Sequence, residues 1–357
     1  MNQRDTSLDI VKGIGIILMV IGHSGCPKWL HDVIYTFHMP LFFICSGYFY
    51  KPITTIEHLF SFWKKRIKSL YWPYIKWSVF FLLLHNLFYN LNIYSDSYGY
   101  LTYTSSLYDI NEFVHRLKYI FIAMNNHEEL LGGFWFLKTL LLSSIGFSVI
   151  DYLLCRWKKT AWKNLVVFLC LLVMTFITRY TECHFWIFGG LFQIFYGCLF
   201  FFTGYLYRFY SPIKFISGGY SNIVCLLILC LTSIFMPNGF LGVHMDQILP
   251  YFIAASAGTL LTFHIARWLS VYRMSSIIVH IGKHTMLILA LHFLAFKIVN
   301  LIKIYEYHLP PKMLSCFPII EEHNQFFWLA YVIVGVGIPL LLGAMMNKFY
   351  ESFNKKV

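Results

Sequence analysis

Leu8-Asp9-Ile10-Val11-Lys12-Gly13-Ile14-Gly15-Ile16-Ile17-Leu18-Met19-Val20-Ile21-Gly22-His23 decides how this chain is read, because between Lys12 and His23 no face of a helix would be polar. A helix apolar all round is buried, either in a large core or in lipid. The next stretch, His31 to Tyr48, returns with the same character, and apolar runs recur to the end of the chain. Of 357 residues, 58% are hydrophobic, 20% aromatic and 12% charged. A soluble domain carries about 25% charged residues, and a soluble fold of this size still exposes much of its surface to water. Lipid accepts what water would not.

Only helices and closed barrels satisfy the backbone in lipid, and a spanning helix needs about 20 mostly apolar residues. Such segments lie near 10–25, 32–50, 70–91, 134–154, 164–179, 187–207, 222–236, 248–266, 284–302 and 326–346, the fifth and seventh being short. Pro237 and Gly239 are expected to end the seventh, and Gly335 with Pro339 to bend the tenth. The expectation is an all-α polytopic integral membrane bundle of about ten transmembrane helices, with residues 1–357 as one domain. No internal repeat, low-complexity tract or linker divides it.

The first segment has some features of a cleaved leader, with Arg4 and Lys12 ahead of an apolar run and Ser24-Gly25-Cys26 after it. Asp5 and Asp9 in the basic region, and His23 three residues before the cysteine, argue against cleavage. Most of the nine cysteines, Cys45, Cys170, Cys198, Cys225 and Cys230 among them, sit in apolar runs as small core residues. Cys26, Cys183 and Cys316 fall outside the spans, and a pair among them is left open.

Charge sets the orientation. With the N-terminus inside, the inner segments collect Lys64, Lys65, Arg66, Lys68, Arg156, Lys158, Lys159, Lys163 and most other basic residues. The outer segments hold only Lys28, Arg116, Lys118, Arg179, Lys303 and Lys312. This excess is expected to place both termini in the cytoplasm, as in a protein of the inner (plasma) membrane. It also accounts for the net charge of +12 without nucleic acid as a partner. The longest outer stretch, 92–133, carries Asp96, Asp109, Glu112, Glu128 and Glu129 and is rich in Tyr, Ser and Asn. A carbohydrate-facing surface has this composition, and so does an ordinary solvated loop.

Ionisable residues inside spans are functional candidates by default. His23 lies eleven residues beyond Lys12, close to three whole turns, so both share one helical face roughly 16 Å apart. Taken singly, Lys12 reads as a snorkelling end residue and His23 as a hydrogen-bonded buried histidine. His38 on the returning second span falls roughly level with His23, and paired imidazoles at one depth suit general-base chemistry. Ser46 is eight residues from His38, about 12 Å along the helix, too far for a nucleophile–base pair. His280 and His284, four apart, read as interface histidines rather than metal ligands, and Lys138 and Lys297 as cations snorkelling to the outer interface. No phosphate-binding glycine loop, zinc spacing or HExxH motif is present, and no metal is implied.

Lys12-x10-His23 followed by Phe37-His38-Met39-Pro40-Leu41-Phe42-Phe43-x-x-Ser46-Gly47-Tyr48 closely resembles the start of membrane acyltransferase family 3, in particular its fucose 4-O-acetylase-like branch. Weaker matches follow in order along the chain: Lys64-Lys65-Arg66-Ile67-Lys68 before Trp72-Pro73-Tyr74, Trp135-Phe136-Leu137, Phe202-Thr203-Gly204-Tyr205, and Gly282-Lys283-His284-Thr285-Met286 leading to Leu291-His292. Three positions depart from the family pattern. Lys12 stands where arginine is usual and loses the bidentate fork. Two arginines three apart become Lys65-Arg66-Ile67-Lys68, and Phe134 replaces a frequent histidine ahead of Trp135.

The resemblance implies an O-acyltransferase using acetyl-CoA or another acyl-CoA as donor and a sugar or lipid-linked glycan as acceptor. Lys12, Lys65, Arg66 and Lys68 would bind the donor's phosphates from the inner face. His23 would deprotonate the sugar hydroxyl or carry the acyl group transiently. His38 would orient His23 or stabilise the oxyanion. The alternative is a non-enzymatic polysaccharide exporter, a label some relatives carry. It gives paired histidines no role and would commonly show the internal repeats of transporters.

Overall fold

The computed structural model describes residues 6–99, 106–156, 160–185, 187–210, 219–235, 239–273 and 275–354. Among them the chain is helical almost throughout, and the one sheet is a two-residue antiparallel pair, β1 (His184–Phe185) with β2 (Gly189–Gly190). The helices are α1 (Thr6–His23), α2 (Lys28–Tyr48), α3 (Ile56–Arg66), α4 (Trp72–Asn90), α5 (Ile110–Ala123), α6 (Trp135–Leu153) and α7 (Thr160–Tyr180). They continue as α8 (Leu191–Tyr210), α9 (Gly219–Phe235), α10 (Ile248–Leu269), α11 (Ser275–Lys283), α12 (Thr285–Glu306) and α13 (Phe327–Asn354).

Every apolar segment anticipated from sequence forms a helix. Among the described residues, six apolar helices, Thr6–His23, Glu129–Leu153, Ala161–Tyr180, Met245–Leu269, Thr285–Glu306 and Phe327–Lys348, are long and apolar enough to cross a membrane. The protein is all-α in the manner of membrane proteins. Polar and amphipathic side chains such as His31, Asp32, His38, Lys76, His85 and Gln193 lower the mean hydropathy of α2, α4 and α8, and α9 has 17 residues. α7 starts earlier than expected, at Thr160. Pro237 lies outside the described residues, and Pro339 sits inside the continuous helix α13.

Three helices were not anticipated because each is shorter than a span. α3 begins where the Thr55 hydroxyl accepts the His58 N–H at 3.3 Å, and α5 where Asp109 accepts the Glu112 N–H at 2.7 Å. α11 follows α10 after a brief turn. Between α3 and α4 the chain widens into a π turn, Ile67–Tyr71. Pro73 has no N–H to return to Ser69, and Trp72 N–H reaches back to Ile67 O instead.

α1 and α2 form the centre. α2 packs on α1, α8, α9 and α10, while α1 also meets α10, α11, α12 and α13. α2 and α8 cross backbone to backbone: a Cβ on Gly47 would collide with the Phe201 carbonyl, and one on Gly204 with the Ile44 carbonyl. Small residues at crossings of this kind are how membrane helices approach closely. At the periphery, α9 exposes Ile223, Leu227, Leu231 and Ile234, and α7 exposes Leu165, Leu169, Val173 and Ile177. Apolar faces of that extent belong against lipid or another protein.

One end of the bundle is tied by buried Asp151, which accepts from Tyr50 Oη and Ile53 N at 2.9 Å and from Lys163 Nζ at 2.8 Å. The ends of α2 and α6 and the start of α7 therefore lie together. All nine cysteines are free.

Candidate active site

His23 closes α1, and its ring rests against Phe293 at 4.9 Å and His292 at 5.3 Å, with Tyr35 edge-on at 6.3 Å. His23 Nδ1 lies 3.1 Å from His292 Nε2. On its other side, His292 Nδ1 is 3.1 Å from the carbonyl oxygens of Ile288 and Leu289. Carbonyl oxygens only accept, so a neutral His292 carries its proton on Nδ1 and presents a lone pair at Nε2. His23 must then donate from Nδ1, which leaves the lone pair on His23 Nε2. That nitrogen is the one left free to accept a proton. Exposure separates the rings further: His292 is 0% exposed and His38 is 3%, whereas His23 is only half-buried.

His38 is held differently. Its Nδ1 donates to Ile34 O at 2.8 Å, and its ring lies 5.0 Å from Tyr35. That hydrogen bond goes to the backbone, and Tyr35 borders both imidazoles. The register of α1 and α2 explains the offset: Gly22 faces Tyr35 and Ile34, and Gly15 faces Leu41 and Phe42. His23 is thus level with the mid-thirties, and His38 sits about one turn, roughly 6 Å, further along the bundle. His23 and His38, expected roughly level, are offset by that turn.

A second group of basic residues gathers three turns away on α1. Lys12 Nζ pairs with the buried Asp9 at 2.8 Å. Next to Cys45, Ser46 Oγ accepts from Arg66 Nη2 at 2.7 Å. The Arg66 guanidinium lies 5.1 Å from the Phe62 ring centre and 5.5 Å from that of Phe201. Burial lowers its pKa to about 10, which keeps it cationic at neutral pH. Its Nε is buried with no hydrogen-bond partner, and no carboxylate pairs with it among the described residues. An unpaired guanidinium with an unused N–H fits an anionic ligand such as a phosphate. Lys65 and Lys68 are exposed nearby in sequence. Of the four basic residues expected to hold a donor, Arg66 bonds Ser46 of α2 and Lys12 pairs with Asp9 of α1.

The polar face of α12 does unexpected work. Lys297 is 3% exposed and does not snorkel; its Nζ donates to Cys316 O at 2.9 Å. Lys303 Nζ donates to Ile320 O at 2.7 Å, and Asn300 accepts from Tyr331 Oη at 2.6 Å. These bonds clamp the segment after α12 beside the turn that follows His23. Sequence reading gave His292 no role, although an imidazole in the apolar run of α12 was the available signal. His280 and His284 rings lie 4.4 Å apart, and among the described residues no three His, Cys, Asp or Glu side chains group as a metal site.

The sequence matches an acyltransferase domain, that of acyltransferase family 3, over residues 5–344. It is also similar to the nodulation protein NolL of Sinorhizobium fredii (strain NBRC 101917 / NGR234), with 47% identity over 58 residues. That match covers 13% of this chain and 16% of the relative, so it spans about a sixth of the relative's length. No solved structure matches.

Proposed function

The chain belongs to acyltransferase family 3, and from that premise we propose that it is an integral membrane O-acyltransferase of the inner membrane. It moves an acyl group, acetyl in the first instance, from cytoplasmic acyl-CoA to a hydroxyl of a cell-surface or lipid-linked sugar. The observation that carries this reading is the backbone–His292–His23 order of hydrogen bonds, which leaves a lone pair on the half-buried imidazole of His23.

In the reaction, His23 Nε2 takes the proton of the acceptor hydroxyl as its oxygen attacks the thioester carbonyl. The new bond joins sugar oxygen to acyl carbon, the carbon–sulfur bond breaks, and the proton passes from His23 to the departing thiolate. Positive charge on His23 is greatest mid-reaction, where the His292 lone pair stabilises it. His38 Nε2, free of its backbone bond, is the further polar group of the site. Arg66 and Lys12 receive the donor's phosphates, and Lys65 and Lys68 attract them from solvent.

The topology proposed with it has about ten helices crossing, both termini inside, and residues 1–357 acting as one unit. The Asp151 end, where Arg66, Lys163 and Lys12 collect, is the cytoplasmic side by the distribution of basic residues. His23 then lies towards the opposite face, and the roughly 16 Å between Lys12 and His23 suits the extended arm of coenzyme A.

The test is direct. Purified protein in lipid nanodiscs is incubated with radiolabelled acetyl-CoA and a lipid-linked oligosaccharide. Label in the glycan with matching release of free thiol is expected. Neither label nor thiol release, with glycan crossing the bilayer in vesicles instead, would replace this reading by the exporter.

A further inference from the structure

Two residues beyond His23, Gly25 and Pro27 border an open cavity of about 620 Å³, a size typical of small-ligand sites. Its other walls include Tyr307, Glu321, His323, Asn324 and Trp328, from the end of α12 and the segment entering α13. Gly25 has φ +70°, and a Cβ there would meet Ile319 and Asn324, so the turn and this segment touch closely.

The cavity is built rather than incidental. Asn324 Nδ2 donates to Gly25 O at 2.9 Å and reaches Ser24 O at 3.4 Å, which ties the wall to the turn beside His23. Tyr307 stacks on His323 with ring centres 4.2 Å apart. Behind the wall, the Lys303 bond to Ile320 O holds the segment in place.

Its chemistry is that of a polyol site. Aromatic faces of Tyr307, His323 and Trp328 suit the C–H face of a sugar ring. The Glu321 carboxylate only accepts hydrogen bonds, and Asn324 Oδ1 is buried without a partner among the described residues. Both are matched to hydroxyl donors. No lysine or arginine lines the cavity among the described residues. The neighbouring cations are engaged elsewhere: Lys28 pairs with Asp32 at 2.7 Å, and Lys303 is fully buried. Among the lining residues Glu321 is the charged one, with no lysine or arginine beside it in the lining.

We infer that this cavity is the acceptor subsite, taking an uncharged or amino-bearing sugar and rejecting uronic and phosphorylated ones. The assignment rests on the acyltransferase reading, and its test separates the two. Full-length protein in nanodiscs is titrated calorimetrically with a neutral oligosaccharide and with the matched hexuronate. The same samples are then assayed for acyl transfer.

Wild type should bind the neutral sugar at least about tenfold more tightly, and Glu321→Lys should erase or reverse that preference. Trp328→Ala should raise the acceptor KM about tenfold with the donor KM unchanged. Equal binding of the two sugars, or a preference that Glu321→Lys leaves intact, overturns the subsite. Neutral-sugar binding with this variant pattern, but no acyl transfer by wild type, keeps the subsite and removes the enzyme reading.

Discussion

His23 Nδ1 and His292 Nε2 lie 3.1 Å apart although 269 residues separate them in the chain. Because two backbone carbonyls fix the His292 proton, the direction of the hydrogen bond between the rings is set as well. The half-buried ring thus keeps its free lone pair at Nε2, and the fully buried one accepts its Nδ1 proton.

His23→Ala should lower acyl transfer about 10²- to 10⁴-fold, the range for loss of a general base, with unchanged expression and thermal transition in detergent. Glycan acylation at the wild-type level would remove His23 from the mechanism.

His292 should act on turnover alone. His292→Phe, which keeps the ring but loses the acceptor, is expected to reduce kcat about 10- to 100-fold with little change in either KM. His292→Gln, whose amide oxygen is an acceptor, should recover part of the loss. Equal activity of the Phe and Gln variants would mean that the ring merely fills space.

Arg66→Gln should raise the KM for acyl-CoA more than it lowers kcat at saturating donor. Lys65→Gln should do so less, since that side chain is exposed and its charge screened. Lys12→Arg restores the residue usual in the family and should be tolerated beside Asp9. An Arg66→Gln enzyme with unaltered donor dependence would reduce the cluster to a topology signal.

Gly47→Val should destabilise the bundle by about 1–3 kcal/mol or more, since its side chain must displace the Phe201 carbonyl. A thermal transition within a degree of wild type would show that the α2–α8 crossing yields easily.

Single cysteines replacing Lys28 and Lys283 in a cysteine-free background should label from opposite faces of sealed vesicles with an impermeant maleimide. Labelling of both from one face would break the topology, and with it the passage of an acyl group across the membrane.

The sequence by itself determined the helical class, since hydropathy acts locally and any long apolar run in lipid must close its own backbone hydrogen bonds. It also identified the polar residues of α1 and α2, because Lys12, His23 and His38 are conspicuous in apolar surroundings. Short amphipathic helices α3 and α5 escaped notice because a span-length window averages them away. Tertiary structure alone decided the rest. Which face of α12 turns inward depends on packing against α1 and α13, so His292 and the buried Lys297 were not legible as partners. The relative height of His23 and His38 depends on where Gly15 and Gly22 let α2 settle, and a turn of known length does not fix that register. Above all, which ring nitrogen is basic depends on two carbonyl oxygens of α12, and these acquire that meaning only when a helix begun 262 residues after His23, at Thr285, packs beside it.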